Sequence, residues 1–471
     1  MPVKLPFFYD YVFPNFILPN ATPIEQGIIN YINTHYSNRL QCDTFFESRC
    51  EEFNVNNPFF SMFGFHLGLM PNSLSQNYTY LKQHCFKHMV QIEENSVFFG
   101  KQTYGKYIYP IKVTLHFARF TGFDNVGLKQ NGEFFWKHIS EEVLSDLRTR
   151  KACVFLDWAN ENFITNGEYR DLHRNLELSG IPKESVVLSI NSFNAREVYE
   201  SWFPEEQRKL EVRNLPYLMT NISHFFDSNP QARVDTLQFK SSKHKIRENY
   251  FLFPIHRGRP HRLALLFKMA SENLLEKGDW SLLDHTPFDT GIHEATQVFS
   301  LNMDNVNTLR NQIPHTLKDE PHKNFDSEVG WEANGTASPY INSYFYIASE
   351  TYVHLPYKSI TEKVFKPIAN LQPFFFIAFP GALEELKKLG FKTFHPFIDE
   401  TYDLENDYTR RMNMIFEEVH RLCRMSREEL HNWYWQMEEI LIYNRNLLLE
   451  KYKSEPLSLE FINHLYSKVK P

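Results

Sequence analysis

The chain has 471 residues, which is too long for one ordinary hydrophobic core and predicts two or three domains. Hydrophobic residues make up 42% and charged residues 23%, a balance that excludes an intrinsically disordered chain. The formal net charge of −7 argues against a protein whose whole surface follows the phosphates of a nucleic acid.

The five cysteines are scattered and lack C-x-x-C spacing, so the sequence predicts neither a disulfide framework nor a zinc site. The N-terminal stretch is interrupted by prolines and an aspartate, which does not fit a signal peptide. The longest purely apolar run, Phe374 to Phe379, falls far short of the roughly 20 residues that span a bilayer. We therefore expect a soluble, cytoplasmic protein without a membrane span.

Residues 1–90 are rich in asparagine, proline and aromatic residues, and only a helix near Pro23 to Tyr36 is predicted there. Strand-like and helical segments then alternate over residues 91–240. The segments are a strand at Tyr107–Phe117, a helix at Gly132–Arg150, a strand at Ala152–Trp158, a helix at Tyr169–Leu178, a strand at Ser185–Asn191 and a helix at Asn194–Trp202. This order predicts one doubly wound α/β domain.

Two acidic side chains, Asp157 and Glu161, lie at and just beyond the end of the strand at Ala152–Trp158. Carboxyl ends of parallel strands are where ligands bind, which makes both residues candidates for a functional role. An ordinary role in capping a helix or in solvating a loop is also consistent with their positions.

A polar stretch from Asp227 to Lys245 is predicted to be a linker, and a second α/β domain is predicted over residues 241–400. Its first helix is expected to be closed by Gly278. Residues 401–471 are predicted to be helical. Ser426 and Glu429 form a capping box there, ahead of an apolar stripe that runs from Leu430 to Leu448 at helical spacing.

A basic turn follows the first strand of the second domain and carries Arg257, Arg259 and Arg262 around Gly258. A guanidinium group can donate two parallel hydrogen bonds to phosphate oxygens, and glycine lets the backbone approach a ligand closely. The turn therefore predicts a diphosphate site. The alternative is a solvated turn whose arginines form surface ion pairs.

The stretch from Ile341 to Phe394 has the order strand, helix, strand, helix, with its polar residues at the joins. Ser359 and Glu362 fit a capping box, which would explain Glu362 by helix initiation alone. Lys363 would then lie in the first helical turn, where a cation opposes the helix dipole unless an anion is bound nearby.

The run T-E-K-V-F-K-P-I-A-N-L-Q-P-F, preceded by a strand that ends in S-E-T and followed by L-x-x-L-G-F, resembles the donor-binding segment of fucosyltransferase-like glycosyltransferases of the GT-B type. The resemblance covers about residues 248–400. The loop between Glu350 and Glu362 is longer than in that family, and Ser359 stands where the family often carries a tyrosine, for which Tyr357 could substitute. The donor-binding residues that the resemblance implies are Arg257, Arg259, Arg262, Glu350, Tyr357, Ser359, Thr361, Glu362 and Lys363.

This resemblance implies a GT-B-like α/β fold with two doubly wound Rossmann-like domains plus C-terminal helices. Residues 91–240 would form the acceptor-side domain, and residues 241–400 would bind a nucleotide-diphosphate sugar. It also implies an enzyme that transfers the sugar to a hydroxyl acceptor, with Glu161 or Asp157 as the catalytic base. The nucleotide sugar would be a co-substrate, with no further cofactor and no metal.

Several alternatives stay open on the sequence alone. The acceptor could be a glycan, a glycoprotein or a modified nucleic-acid base; a basic run formed by Lys240, Lys243, Lys245 and Arg247 leaves nucleic acid possible, although the net acidity disfavours it. The sequence carries no H-E-x-x-H motif for a metal. A non-catalytic protein that binds nucleotides or carbohydrates on the same fold is the alternative to an enzyme.

Overall fold

The computed structural model of the chain describes residues 107–112, 141–158, 163–215, 226, 230, 233–282, 288–310, 312–317, 337–451, 464, 467 and 468. The helix predicted near Pro23 to Tyr36 lies outside these residues, as does the first part of the helix predicted from Gly132. Among the helices in the described ranges, none is both long and apolar enough to cross a bilayer.

Strands and helices alternate over most of the described chain, as the sequence predicts. The strands are β1 (Tyr107–Lys112), β2 (Ala152–Trp158), β3 (Val186–Ile190), β4 (Glu211–Asn214), β5 (Asn249–Ile255), β6 (Asp279–Leu282), β7 (Ser343–Ser349) and β8 (Phe374–Ile377). The helices are α1 (Glu141–Arg148), α2 (Asn166–Leu178), α3 (Ala195–Trp202), α4 (Thr236–Ser241), α5 (Pro260–Ser271), α6 (Phe288–Val298), α7 (Met303–Arg310), α8 (Ser338–Ile341), α9 (Glu362–Ala369), α10 (Ala382–Lys388), α11 (Tyr408–Arg424), α12 (Arg427–Trp435) and α13 (Glu438–Asn446).

The chain divides into two compact units. The first comprises Met1–Tyr217 together with Glu455–Pro471, and the second comprises Leu218–Ser454. The division therefore falls before the predicted boundary at residue 240. The helices α11, α12 and α13 group with the second unit, whereas the last residues group with the first.

The stretch predicted to be a linker contains the helix α4, which belongs to the second unit. Asp235 caps α4 by accepting hydrogen bonds from two backbone N–H groups, and Phe239 is fully buried with its ring centroid 4.8 Å from that of Trp435. The N–H of Val234 donates to Oδ1 of Asn370 at 2.9 Å. Polar composition suggested a linker, but the buried Phe239 ring and the hydrogen bond to Asn370 hold this helix against the unit.

The first unit contains a parallel sheet in the order β1-β2-β3-β4. All five residues of β3 are buried, which is typical of a parallel strand covered on both faces. The helix α2 begins with a capping box in which Thr165 and Glu168 bond to each other's backbone N–H groups. The backbone of Asp157 lies in β2 opposite Ser189.

The second unit contains a parallel sheet in the order β6-β5-β7-β8. After β5 the chain crosses to β6 on one side, and after β7 it crosses to β8 on the other. The loops that follow β5 and β7 therefore diverge and leave a crevice at the carboxyl ends of these two strands, the usual ligand position in a doubly wound sheet. The predicted fold class, with two parallel α/β units and C-terminal helices, is confirmed.

Aromatic residues fill much of the second unit's core, as expected from the composition. The Phe345 ring lies 5.6 Å from Phe375 and 6.0 Å from Phe251, measured between ring centroids. The predicted capping box of Ser426 and Glu429 is confirmed by hydrogen bonds in both directions. Two local predictions were wrong: α5 ends at Ser271 rather than at Gly278, and the single helix predicted through Leu448 is divided into α12 and α13.

Candidate functional site

Glu350 directly follows β7 and is the most enclosed carboxylate of the predicted site, with 1% of its surface exposed. Its N–H donates to the carbonyl of Ile377 at 2.9 Å and so continues the pairing of β7 with β8. Its carboxylate accepts two hydrogen bonds from Thr361, from the backbone N–H at 2.8 Å and from the hydroxyl at 2.6 Å. The end of the strand is thereby tied to the beginning of α9.

The helix α9 begins at Glu362, and its N-cap is Thr361 rather than Ser359. The predicted capping box of Ser359 with Glu362 is therefore wrong. Thr361 makes no side-chain cap. Its hydroxyl donates to the buried Glu350 carboxylate, and its oxygen accepts a hydrogen bond from Nζ of Lys363 rather than from a backbone N–H of the helix.

Lys363 lies in the first turn of α9, as predicted, but its charge is balanced by neighbouring carboxylates. Its Nζ lies 2.8 Å from Oε1 of Glu362, 3.0 Å from the hydroxyl of Thr361 and 3.8 Å from Oε2 of Glu350. About a quarter of the side chain, 23%, remains exposed. The conflict between this cation and the helix dipole is thus relieved inside the protein, so it does not by itself require a bound anion.

The two carboxyl groups around Lys363 differ in their acidity. Burial raises the pKa of Glu350, and the attraction of Lys363 offsets only part of that rise. Burial also acts against ionisation of Glu362, but the ammonium groups of Lys363 and Lys366 outweigh it and lower the pKa of Glu362 to about 2. Glu362 therefore stays ionised beside Lys363 at any physiological pH.

The low pKa of Glu362 predicts a specific dependence of stability on pH. Its pKa is depressed from 4.5 to about 2, so the ionised group stabilises the fold above pH 4.5 and loses this contribution as the pH falls towards 2. The melting temperature of the wild type should exceed that of Glu362→Gln near neutral pH. Calorimetry should show that this difference becomes smaller as the pH falls below 4.5, the ordinary pKa of a glutamate. Glu384→Gln on exposed α10 is the control, and a difference that does not change with pH would contradict the assignment.

The arginine-rich turn follows β5 and leads into α5, which begins at Pro260. Arg262 points into the protein: its Nη2 donates to the carbonyl of Ser349 at 2.9 Å, and its Nη1 donates to the carbonyl of Arg257 at 3.2 Å. Burial lowers the pKa of Arg262 to about 10, which leaves it charged at neutral pH. The structure thus gives Arg262 a supporting position, where it joins the turn after β5 to the end of β7.

Arg257 and Arg259 are more accessible than Arg262. Arg257 is exposed, and Arg259 is half-buried with its guanidinium carbon 5.2 Å from the centre of the Tyr352 ring. The Nε of Arg259 is buried and has no hydrogen-bond acceptor within the described ranges. The Nε of Arg262 is in the same state, but only Arg259 combines it with a partly exposed side chain beside Tyr352, where a ligand oxygen could accept a hydrogen bond.

His261 also joins the two sides of the crevice, although no pattern in the sequence singled it out from the basic turn. Its Nε2 lies 2.8 Å from the carbonyl oxygen of Glu350, and this nitrogen must be the donor because a carbonyl can only accept. Burial, reinforced by Arg262, lowers the pKa of His261 to about 3, so the ring is neutral at physiological pH.

The loop between β7 and α9 contains the remaining predicted donor residues. Tyr357 and Ser359 are both buried, with 5% and 6% of their surface exposed. His354 in the same loop packs its ring 4.4 Å from Tyr408, whose hydroxyl donates to Glu294 at 2.9 Å. These partners lie far apart in sequence, and no local pattern could have indicated them.

The two predicted catalytic residues belong to the first unit. Asp157 occupies a position on β2, but its side chain lies outside the described part of the chain, as does all of Glu161. Their assignment therefore stays a prediction. Among the described residues, no three His, Cys, Asp or Glu side chains are grouped so that they could hold a metal ion.

No protein-family model matches the sequence, and no curated protein matches it. Solved structures match the chain at low sequence identity and with TM-scores below 0.5. They include a UDP-forming trehalose-phosphate synthase from Burkholderia xenovorans (12% identity, TM-score 0.37, covering 90% of this chain and 86% of that one) and a structure from E. coli bound with UDP-2-fluoro glucose (12%, 0.35, 95% and 98%). A glycosyltransferase from Rickettsia africae matches with 10% identity, a TM-score of 0.34 and coverage of 78% and 92%. No residue role in this chain follows from similarity at this level.

Proposed function

We propose that the chain is a glycosyltransferase, and that the crevice at the carboxyl ends of β5 and β7 binds the diphosphate of a nucleotide sugar. The arginine turn after β5 forms one side of this crevice. The end of β7 forms the other side, and the loop after it leads to the first turn of α9. Both segments are those that resemble the donor site of fucosyltransferase-like enzymes. The sugar would pass to a hydroxyl group on a glycan or another acceptor.

Arg259 carries this proposal. Its side chain is half-buried and is held beside Tyr352, and its buried Nε finds no acceptor in the described part of the protein. A buried N–H without an acceptor costs about 1 to 3 kcal/mol, which a phosphate oxygen would recover on binding. Position and chemistry together favour an anionic ligand over a purely structural role.

The diphosphate would be held mainly by cationic side chains. Arg259 and Arg257 would contact its oxygens, and Lys363 would reach it by exchanging its bond to Glu362 for one to the ligand. These charges would stabilise the negative charge that develops on the departing nucleoside diphosphate. In this proposal no metal ion is needed, because the cations supply the charge that a metal would otherwise bring.

The transfer step needs a base for the acceptor hydroxyl. As its proton is removed, the acceptor oxygen forms a bond to the anomeric carbon, while the bond from that carbon to the diphosphate oxygen breaks. We assign the base to Glu161 or Asp157 in the first unit, on the basis of their place at the end of β2. A fucosyl or other hexosyl donor is proposed from the T-E-K segment.

Lys363→Ala tests the donor site. We expect it to weaken binding of GDP or UDP, whichever binds the wild type, by about 1.5 kcal/mol, the contribution of one hydrogen bond between charged groups. Isothermal titration calorimetry measures this directly. Lys387→Ala, which removes an exposed lysine from α10, is the matched control and should leave the affinity unchanged.

The same proteins should be assayed for release of nucleoside diphosphate from a panel of nucleotide sugars that includes GDP-fucose and UDP-glucose. Turnover of one donor that is lowered by Lys363→Ala supports an enzyme. Diphosphate binding without turnover of any donor would instead favour a non-catalytic nucleotide- or carbohydrate-binding protein. Unchanged affinity in the Lys363→Ala variant would contradict the proposed donor site itself.

A further inference from the structure

A cavity of about 640 Å³ lies in the second unit at the amino ends of β5 and β7, whereas the crevice lies at their carboxyl ends. Arg247 lines it just before β5, and Asn342 lines it just before β7. The strand β5 has seven residues at about 3.3 Å each, so the cavity and the crevice are about 20 Å apart. Its volume falls within the range of small-molecule sites, and its position separates it from any donor bound at the carboxyl ends.

The charged side chains that line the cavity favour an anion. Among the residues that the structure describes, they are Arg233, Lys245 and Arg247, opposed only by Asp235. The Asp235 carboxylate is already engaged, because it accepts from the N–H groups of Leu237 and Gln238 at 2.7 and 3.2 Å at the start of α4. The balance of charge in the cavity is therefore positive.

A buried guanidinium, that of Arg445, bonds to residues that follow Arg233 closely in the chain. Arg445 donates to the carbonyl of Val234 at 3.1 Å and to the hydroxyl of Thr236 at 2.5 Å. Burial lowers the pKa of Arg445, and the positive charge of Arg233 lowers it further by repulsion. An anion beside Arg233 would relieve this repulsion.

Arg247 is held rigidly in the wall of the cavity. Only 4% of it is exposed, and its guanidinium carbon lies 3.9 Å from the centre of the Tyr434 ring. Its Nη1 donates to the carbonyls of Tyr340 and Ser343, at 3.3 and 2.5 Å. The Nε atoms of both Arg247 and Arg233 are buried and have no acceptor among the residues that the structure describes.

The uncharged side chains that line the cavity indicate the chemistry of the remaining part of the ligand. It includes Ser338, Asn342 and Gln238, whose hydroxyl and amide groups suit a hydroxylated molecule. None of the described residues that line the cavity is aromatic, so nothing there offers a stacking surface for a nucleobase. From this combination we infer that the cavity is a second ligand site, which binds a small sugar phosphate through Arg233, Lys245 and Arg247.

Calorimetric titration of the full chain with a hexose 6-phosphate and with inorganic phosphate tests this inference. The hexose phosphate should bind at least tenfold more tightly than phosphate, because only the ester also reaches the hydroxyl and amide groups. The double variant Arg233→Gln/Lys245→Met should weaken hexose phosphate binding at least 30-fold. Lys240→Met removes an exposed cation from α4 that does not line the cavity, and it should change the affinity less than twofold.

Lys363→Ala separates this site from the crevice, and hexose phosphate binding should be the same in this variant as in the wild type. Loss of binding in Lys363→Ala, or unchanged binding in the double variant, would overturn the inference by placing the phosphate elsewhere. Equal affinities for phosphate and hexose phosphate would overturn the assignment of a sugar ester. Failure of both probes to bind the wild type would overturn the site as a whole. None of these outcomes depends on nucleoside diphosphate binding in the crevice.

Discussion

Replacing Arg259 with alanine is expected to weaken nucleoside diphosphate binding by about 1.5 to 3 kcal/mol, which is on the order of 10- to 100-fold. The loss should exceed that in Lys363→Ala, because Lys363 gives up a bond to Glu362 when it binds the ligand. The buried Nε of Arg259 has no such bond to lose within the described residues. Titration of the wild type and both variants with GDP and UDP would measure the difference.

Two further variants sharpen the test of Arg259. Arg259→Lys keeps the charge but loses the planar fork of donors, so it should recover only part of the affinity. Arg424→Ala removes an exposed arginine from the end of α11 and should bind the diphosphate like the wild type. If Arg259→Ala retained full affinity while remaining folded by circular dichroism, the arginine turn could not be the diphosphate site.

Glu350→Ala should destabilise the beginning of α9 by about 2 to 4 kcal/mol. The substitution removes the acceptor of two hydrogen bonds from Thr361, each worth about 1.5 to 3 kcal/mol with a charged partner, and leaves buried donors behind. The gain from no longer burying a carboxylate offsets part of that loss. Hydrogen exchange of the α9 amides would report this change locally, which suits a chain with two compact units.

Glu350→Gln is the matched variant. The amide keeps the size of the side chain and can still accept from the Thr361 N–H, so faster exchange in α9 should be much less pronounced than with alanine. Thr361→Val removes the hydroxyl bond but keeps the backbone bond, and it should fall between the two. Equal exchange rates in Glu350→Ala and Glu350→Gln would show that these hydrogen bonds do not hold the helix.

The parts of the fold that could be predicted from the sequence depend on local patterns. The buried strand β7 and the place of Lys363 in a first helical turn follow from residues within one short stretch. The capping box of Ser426 and Glu429 also follows from two residues within a single turn. In these cases the partners are near neighbours, so spacing alone is informative.

The parts that could not be predicted depend on contacts between residues that are distant in sequence. Thr361 was expected among the donor-binding residues, and the sequence did not indicate that its hydroxyl donates to a carboxylate 11 positions earlier. Arg262 was expected to bind a ligand, but its two terminal nitrogens donate to carbonyl oxygens, including that of Ser349, 87 positions away. Identical arginines in one turn thus acquire different roles, because tertiary packing decides which of them faces the interior.

The inward position of Arg262 has a consequence for how the crevice would recognise a ligand. The crevice has two sides, the turn after β5 and the end of β7. The Arg262 guanidinium binds the carbonyl of Arg257 within its own turn and that of Ser349 across the crevice, and His261 adds a second link across it through the carbonyl of Glu350. The two sides therefore cannot separate without breaking these two buried hydrogen bonds. A ligand that enters meets a preorganised surface, so little of its binding energy is consumed in ordering the protein.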